Sequence, residues 1–396
     1  MAHLELDSKA LEGFGKIGIA FSGGLDSSVL LKLISESSIP NKHITALHVN
    51  HGLSKDSNKW ERFCAERAAK LNISFFSWKL ESLDKISEDS LRNKRLKAFG
   101  EWFSENDLII TGHHLDDQVE TVLFRIFRGT GIKGLEGMKE FSRVNNINFY
   151  RPLLKYKKEE LYCYAKENNL IWVEDETNKE SKFSRNIIRN DLIPNISERW
   201  PYIKKSIGRL SSKAKKAQNI LLEIAEEDLQ KIEASRQTIN VSQLKSLSQE
   251  RQENLISFWL NYKNNIQISS AQITQVLTSI LKSSQGSSEF YVNTKIENSK
   301  CKIVISSKEI NIINENLLKQ LPDNLNMNWN LKDSIEIPSG KLSISESVGK
   351  GLDKKYSGSN ASIKARVGGE RCKPFGRNKS QKIKNLFQEF EIPDWK

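Results

Sequence analysis

The sequence has few cysteines and no long hydrophobic run. Its four cysteines, Cys64, Cys163, Cys301 and Cys372, lie far apart in a chain of 396 residues. This spacing excludes a zinc site or redox pair of the CxxC type, and a disulfide framework is not expected at this length. No apolar run reaches the roughly 18 residues of a transmembrane helix, and the N-terminus lacks the pattern of a secretory signal. The composition therefore predicts a cytoplasmic protein with no membrane partner.

Acidic residues are scarce in the second half of the chain. Residues 1–200 contain 30 Lys and Arg against 29 Asp and Glu, a balance of +1, whereas residues 201–396 contain 31 against 20, a balance of +11. Charge alone allows two interpretations. The excess of basic residues either belongs to an ordinary solvated surface or allows the C-terminal half to bind a polyanion.

The first 115 residues alternate short apolar runs with helical patterns. Strands are predicted at 17–21, 44–50, 73–80 and 108–113, and helices at 26–37, 57–72 and 88–106. This alternation predicts an α/β fold with a doubly wound parallel sheet. Such sheets bind ligands beyond the carboxyl ends of their strands.

The predicted secondary structure changes after this region. A helix-rich stretch is predicted to about residue 215, a long or broken helix at 203–234, and helical patterning to about residue 284. Short strands begin at 288, a linker lies near 314–328, and a basic segment starts near 340. We therefore predict three domains: the α/β domain at 1–215, a helical domain at 216–320, and a small α+β domain at 321–396.

A glycine- and serine-rich loop lies between the first predicted strand and helix. Its residues are Ser22, Gly23, Gly24, Leu25, Asp26, Ser27 and Ser28. The glycines allow a tight turn, and the serines and helix start favour an anion. The loop has no lysine, so it is not of the GxxxxGK[ST] type. A plain strand–turn–helix with a serine cap is the alternative, but Asp26 inside a phosphate cradle is best explained as a Mg²⁺ ligand. The loop resembles the SGGxDS loop of the ATP pyrophosphatases, which transfer AMP.

Histidines and acids follow two of the predicted strands. His48 and His51 follow the second strand, and the run HHLDDQVET at 113–121 follows the fourth. On a helix starting near 115, Asp116 and Glu120 share a face. The run has three interpretations: a metal site, a solvated helix start with favourable acids, or a polar pocket for a cationic substrate and Mg-nucleotide. We favour the pocket.

Several longer motifs resemble one family, the tRNA(Ile)-lysidine synthetases. Residues 113–138 resemble its signature HHxDDQxET…RGxGxxGLxGM, and further matches follow in the family's order at 151–154, 174–178, 185–189 and 368–395. The resemblance covers most of the chain. Asn50 and Ser54 replace an Asp and an Arg of the family's HVDHGLR, and Leu96 replaces the Tyr of ARxxRY. Family members often continue beyond the final PxW element, so the C-terminal domain is expected to be short or truncated.

The resemblance implies an ATP-dependent ligase. Members adenylate the wobble cytidine in the CAU anticodon of isoleucine tRNA and then join L-lysine to its C2, releasing pyrophosphate and AMP, so that the tRNA reads AUA. The implied cofactors are ATP and Mg²⁺. The helical and C-terminal domains would bind tRNA, and a homodimer is compatible with the family.

The resemblance also implies roles for individual residues. The loop residues 22–28 would hold the phosphates, and Asp26 and Asp117 would hold Mg²⁺. His113, Asp117 and Glu120 would receive the proton that lysine loses. Together with Asp116 they would also position the lysine. Four arginines would contact phosphates of ATP or tRNA, unless they are ordinary surface arginines: Arg92, Arg95, Arg185 and Arg189.

Three other functions are compatible with parts of the sequence. A tRNA thiolase shares the loop, but it generally needs cysteine pairs or an iron–sulfur cluster. A small-molecule amidating synthetase leaves the basic second half unexplained. A non-catalytic RNA-binding protein would not need Asp26 or the HHLDDQ run.

The last basic segment is nearly free of acids. Between 364 and 384 Glu370 is the single acidic residue, against eight basic ones: Lys364, Arg366, Arg371, Lys373, Arg377, Lys379, Lys382 and Lys384. An ordinary solvated run would be more mixed, so we expect this segment to contact tRNA phosphates.

The segment is predicted to bind tRNA without taking part in the chemistry. Replacing Lys373, Arg377 and Lys379 with Ala should weaken tRNA binding and lower its salt dependence by roughly one unit of slope for each phosphate that the variant no longer binds. Filter binding at several salt concentrations measures both quantities. Unchanged affinity with a collapse of turnover at saturating tRNA would contradict the prediction.

Overall fold

The computed structural model describes most of the chain. The described residues are 4–37, 39–40, 43–50, 52, 56–79, 88–174, 184–232, 235, 237–266, 268–282, 288–293, 300–314, 325–337, 340–346, 348, 351–364, 368–374 and 377–389. They pack as two compact units, Met1–Leu221 and Leu222–Lys396. The residue ranges of the three predicted domains stay predictions.

The first unit is built on a six-stranded sheet with the order β3-β2-β1-β4-β6-β5. All pairs are parallel except β5 with β6. The strands are β1 (Ile17–Ala20), β2 (Ile44–Asn50), β3 (Ser74–Lys79), β4 (Leu108–Ile110), β5 (Phe141–Val144) and β6 (Ile147–Tyr150). The predicted doubly wound parallel sheet is thus confirmed.

Helices connect and cover these strands. They are α1 (Leu25–Ser35), α2 (Ser57–Lys70), α3 (Glu88–Gly100), α4 (Leu115–Phe127), α5 (Ile132–Leu135), α6 (Lys158–Glu167), α7 (Ser184–Ile187) and α8 (Ile193–Arg199). A π-helical turn, Ile188–Leu192, joins α7 to α8. The long helix α9 (Ile203–Lys231) follows, close to the predicted 203–234.

Both faces of the sheet carry a hydrophobic core, as a parallel sheet requires. Successive strand residues point to opposite faces, and the buried residues divide accordingly. Ile19 and Ile110 belong to a cluster with residues of α1 and α6. Leu47 and Ile109 pack with Phe99 of α3 in a second cluster.

The strand order places a topological switch point at β1 and β4. From β1 the chain runs outward through β2 to β3, and it then returns past β1 to form β4 on the other side. The loops that leave these two neighbouring strands therefore diverge and open a crevice at their carboxyl ends. The glycine- and serine-rich loop of residues 22–28, named the phosphate loop below, follows β1, and the HHLDDQ run follows β4.

The predicted helix-rich stretch after residue 115 was wrong in one part. Residues 141–150 form the hairpin β5–β6, and β6 extends the sheet next to β4. Four-residue strands are too short for periodicity to separate them from a loop or a helix end. The predicted strand at 108–113 ends at Ile110, and the predicted helix at 88–106 ends at Gly100.

The second unit contains an antiparallel sheet with the order β7-β10-β9-β8. Its strands are β7 (Thr238–Asn240), β8 (Ser288–Asn293), β9 (Lys300–Ile305) and β10 (Glu309–Asn314), with helices α10 (Val241–Lys245), α11 (Gln249–Phe258) and α12 (Ser270–Lys282). One cluster that includes Trp259 and Ile303 forms its core.

Short two-stranded pairs follow in the second unit. β11 (Asn326–Trp329) pairs with β14 (Ala361–Lys364), β12 (Ile335–Ile337) with β13 (Gly340–Leu342), and β15 (Arg371–Cys372) with β16 (Gln381–Lys382), before the helix α13 (Ile383–Glu389). Across the described ranges, no helix combines the length and apolar character needed to cross a membrane.

Candidate active site

The phosphate loop is shaped by two close backbone approaches. Gly23 has a φ of +85°, and a Cβ at this position would lie 2.9 Å from Sγ of Cys64. A Cβ on Gly112, just after β4, would lie 3.0 Å from the carbonyl oxygen of Asp26. Glycine is therefore required at both positions, because a side chain would displace the loop.

Serine hydroxyls and a neighbouring segment hold the loop together. Oγ of Ser27 donates to the carbonyl oxygen of Gly24 at 3.1 Å and lies 3.1 Å from Oγ of Ser22. The N–H of Val173 donates to the carbonyl oxygen of Gly23 at 2.9 Å. No side chain among the described residues caps the start of α1 at Gly24, so its first N–H groups can bind an anion.

Asp26 points from the loop toward α4. Its Oδ2 lies 3.5 Å from Nε2 of His114. Its Oδ1 is buried and has no hydrogen-bond partner within the described part of the chain. A buried carboxylate oxygen without a donor is costly unless a cation or a ligand completes it. The donor set at Asp26 therefore fits a hard cation such as Mg²⁺.

His114 connects the loop to α4. It is the N-cap of α4, where its Nδ1 accepts the N–H of Asp116 at 3.2 Å. Its Nε2 lies 3.5 Å from Oδ2 of both Asp26 and Asp117. Burial alone would lower the pKa of His114, but the bond to Asp26 and the charge of Asp117 outweigh burial and raise it. The imidazole therefore holds two carboxylates that would otherwise repel each other.

His113 faces a different environment. Its Nδ1 lies 2.7 Å from Oγ1 of Thr111. Burial lowers the pKa of His113 to about 4, although the charge of Asp117 works against this shift. The ring is consequently neutral at pH 7 and is a weaker base than an ordinary histidine.

Arg189 bridges two of the predicted substrate acids. Its Nε donates to Oε1 of Glu120 at 2.6 Å, and its NH2 group donates to Oε2 of Glu120 at 2.8 Å and to Oδ1 of Asp117 at 3.0 Å. Burial raises the pKa of Glu120 despite the bonds from Arg189. Arg189 was predicted to contact phosphate. In the structure it forms a bidentate ion pair with the carboxylate of Glu120.

Asp116 turns away from this pair. Its side chain forms an ion pair with Lys204 of α9 and accepts the N–H of Lys158 at 3.0 Å. The predicted grouping of Asp116 with Glu120 therefore differs from the observed one, in which Glu120 and Asp117 share Arg189. Asp117 lies about 100° round α4 from Asp116, and Glu120 lies one turn along the axis from Asp116. Arg189 therefore reaches Asp117 and Glu120, while Lys204 reaches Asp116.

The other predicted arginines lie around this centre. Arg92 and Arg95 are exposed on α3, and the charge of Arg95 contributes to the lowered pKa of His113. The guanidinium of Arg185 lies 5.7 Å from the ring centroid of Phe124 on α4. Arg95 therefore acts at the start of α4, whereas Arg92 and Arg185 lie close enough to Arg125, near the end of α4, to add to the lowering of its pKa by burial.

The predicted basic residues of the C-terminal segment belong to the second unit. Lys373 and Lys379 are exposed. Arg371 donates to the carbonyl oxygen of Ser380 at 2.8 Å, and Arg377 forms an ion pair with Glu389. Since Arg377→Ala would also remove that ion pair, Lys373 and Lys379 give the cleaner test of tRNA contact. Arg366 and the motif residues 175–178 lie outside the described residues.

The neighbours of Asn50 explain why an amide can replace the family's aspartate at this position. Its Nδ2 donates to Oε2 of Glu61 at 2.8 Å, and its Oδ1 accepts the N–H of Gly52 at 3.0 Å. An aspartate in this position would place a second carboxylate against Glu61. The amide supplies both a donor and an acceptor, so it suits this buried position. Ser54 lies outside the described residues.

The sequence reasoning missed His114 and His48 as site residues. Nδ1 of His48, at the end of β2, lies 2.9 Å from the carbonyl oxygen of Phe21 and so positions the start of the phosphate loop. The signal for His114 was its place before LDDQ, since a side-chain acceptor followed three residues later by an acid is typical of a helix start. The signal for His48 was its position at the carboxyl end of the strand next to β1.

Comparison with known proteins places the chain in a family. A model of the PP-loop domain matches residues 3–196, and a model of the TilS substrate C-terminal domain matches residues 361–396. The tRNA(Ile)-lysidine synthase of Coxiella burnetii is 33% identical over 387 residues, which cover 95% of this chain and 84% of that protein. The tRNA(Ile)-lysidine synthase of Legionella pneumophila (strain Lens) is 31% identical over 392 residues, which cover 97% and 88%.

Among solved structures, a U34-tRNA thiolase from Methanococcus maripaludis is also similar. It is 22% identical, with a TM-score of 0.42, and the match covers 52% of this chain and 74% of that one.

The contact of His114 with Asp26 and Asp117 is expected to serve catalysis separately from the helix cap. His114→Asn retains a good N-cap and loses the imidazole, whereas His114→Ala loses both. Pyrophosphate release from ATP should fall about a hundredfold in both variants, as expected when one preorganised polar group is removed. Only His114→Ala should lose a further ~1 kcal/mol of stability, because it alone lacks the cap.

Steady-state pyrophosphate release and urea unfolding measure the two effects. Full activity of His114→Asn would reduce the role of His114 to that of a helix cap.

Proposed function

Because the chain belongs to the tRNA(Ile)-lysidine synthase family, we propose that it joins lysine to the wobble cytidine of an isoleucine tRNA with a CAU anticodon. The proposal has two steps. ATP first adenylates O2 of the cytidine and releases pyrophosphate. The amine of lysine then attacks C2, and AMP leaves.

One observation carries this proposal beyond the family resemblance. The phosphate loop after β1 and the acidic start of α4 after β4 meet at the switch point of the sheet, where His114 lies 3.5 Å from both Asp26 and Asp117. A nucleotide held by the loop therefore has its reacting phosphate beside the acids that would receive an amine. Placing two reactants together in this way accounts for a large share of a catalysed rate.

The ATP half of the site is the loop 22–28. The hydroxyls of Ser22, Ser27 and Ser28 and the open start of α1 would hold the phosphates. Leu25 packs against the core below and fixes the first turn of α1. The loop has no lysine, so the positive charge must come from elsewhere; Arg189, whose charge interacts with that of Asp26, and Arg95, whose charge acts on His113, are candidates.

Mg²⁺ is expected to bind at Asp26. Oδ1 of Asp26 lacks a donor within the described part of the chain, whereas both oxygens of Asp117 already accept hydrogen bonds, from the N–H of His114 and from Arg189. No group of three or more His, Cys, Asp or Glu among the described residues is arranged to hold a metal ion. Phosphate oxygens would therefore complete the coordination, as is usual for Mg²⁺. When bound, the ion would neutralise charge on the leaving pyrophosphate.

The lysine half of the site would be Glu120, Asp117 and His113. Glu120 and Asp117 are already paired with a guanidinium, so their position suits a cationic side chain or amine. The attacking amine must first lose a proton. Burial lowers the pKa of His113 to about 4, which makes it a weak base at pH 7, whereas burial raises the pKa of Glu120, so Glu120 is the better candidate acceptor for that proton.

The central test is whether the two substrates are required in order. Pyrophosphate release should depend on isoleucine tRNA with a CAU anticodon and should not need lysine, whereas radiolabelled lysine should enter the tRNA only after that step. Methionine tRNA, which shares the anticodon, is the matched control. Equal pyrophosphate release with no tRNA present would contradict the proposal.

Asp26→Asn should abolish most adenylation. The change keeps the shape of the side chain but removes the charge that would hold Mg²⁺, and pyrophosphate release should fall roughly a hundredfold or more. Asp191→Asn, an exposed residue of the same unit, is the control and should keep its activity. Undiminished release by Asp26→Asn would exclude this role.

Glu120→Gln should damage lysine use more than adenylation. A hydrogen bond to a charged group contributes about 1.5–3 kcal/mol, so the KM for lysine should rise roughly ten- to a hundredfold. Glu167→Gln, exposed on α6, is the control.

The two half-reactions are measured separately, and Arg189→Ala is assayed beside Glu120→Gln. If both variants slow adenylation equally and leave the KM for lysine unchanged, Glu120 acts by holding Arg189 in place.

A further inference from the structure

Two large aromatic side chains are exposed between α8 and α9. Trp200 is 61% exposed and Tyr202 is 76% exposed, on either side of Pro201. Trp residues are rarely so open to solvent in the absence of a partner, and an exposed aromatic pair suggests a binding surface.

Backbone hydrogen bonds fix the turn that carries these two rings. The N–H of Trp200 donates to the carbonyl oxygen of Ile196 at the end of α8, and the carbonyl oxygen of Trp200 accepts the N–H of Ile203 at the start of α9. The carbonyl oxygen of Tyr202 accepts the N–H of Ser206. Pro201 further restricts the turn. Rings presented by such a rigid turn lose little entropy when they bind a flat partner.

The chain around the rings is basic. Residues 199–216 contain no acid and seven basic residues: Arg199, Lys204, Lys205, Arg209, Lys213, Lys215 and Lys216. All except Lys204 are exposed. A surface that combines open aromatic rings with exposed positive charge is complementary to unpaired nucleotides, whose bases stack and whose phosphates are anionic.

Lys204 connects this surface to the candidate active site. It forms an ion pair with Asp116, and Oδ2 of Asp116 lies 3.8 Å from Nδ1 of His114. A strand of RNA lying on the first turns of α9 would therefore pass close to the start of α4.

We propose that Trp200 and Tyr202 stack on unpaired nucleotides of the anticodon loop while Lys205 and Arg209 contact their phosphates. This inference rests on the proposed function, and it assigns the stacking contacts that keep the loop open beside the active site. The surface takes no part in the chemistry, so it acts on tRNA affinity alone.

The test compares removal of the rings with their conservative replacement. The double variant Trp200→Ala/Tyr202→Ala should raise the Kd for an anticodon stem-loop RNA, and the KM for full-length tRNA, at least about tenfold, since each stacked base is worth an appreciable free energy. Its kcat at saturating tRNA should stay within about twofold. The control Trp200→Phe/Tyr202→Phe keeps an aromatic ring at each position and should bind nearly as well as the parent.

A fully paired RNA duplex of equal length separates stacking from charge. It should bind the parent and both variants equally, because it offers phosphates but no unpaired bases. Unchanged stem-loop affinity in the alanine variant, or an equal drop in affinity for duplex and stem-loop, would overturn the inference. Circular dichroism and the unfolding midpoint establish that each variant is folded before binding is compared.

The outcome also separates this inference from the function on which it rests. If the parent releases no pyrophosphate with isoleucine tRNA, the proposed function fails whatever the rings do. If the parent turns over normally and the alanine variant binds tRNA as tightly as the parent, the stacking surface alone is wrong.

Discussion

The site depends on one imidazole that lies between two carboxylates. Asp26 belongs to the loop after β1 and Asp117 to the helix after β4, and His114 lies 3.5 Å from each. The two acids would otherwise repel each other in a partly buried crevice. Because His114 also caps α4, the same residue defines the start of the helix and contacts the loop after β1.

Three acids within five residues of α4 have different environments. Asp116 is paired with Lys204, Glu120 with Arg189, and Asp117 with both His114 and Arg189. Burial raises the pKa of Glu120, whereas the pKa of Asp116 is lowered because the bond from Lys204 outweighs the effect of burial. Carboxylic acids on one helix can therefore differ in pKa because of their neighbours alone.

Much of the first unit could be predicted because its signals are local. The buried runs at 17–21 and 44–50 and the glycines of the loop follow from periodicity and from backbone freedom. The hairpin β5–β6 was missed because four-residue strands depend on the sheet edge that receives them. His114 was missed because sequence shows two adjacent histidines but not which of them faces Asp26, a residue 88 positions earlier.

The sequence by itself determined the class of sheet and the position of the glycine- and serine-rich loop, and it placed histidines and acids after β2 and β4, since these features depend on residue type and short spacing. Only the tertiary structure decided which acid meets which base: Arg189 with Glu120, Lys204 with Asp116, and His114 between Asp26 and Asp117. These pairs join residues from different elements. Their geometry follows from how α4, α9 and the turn after α7 pack together, which no local pattern encodes.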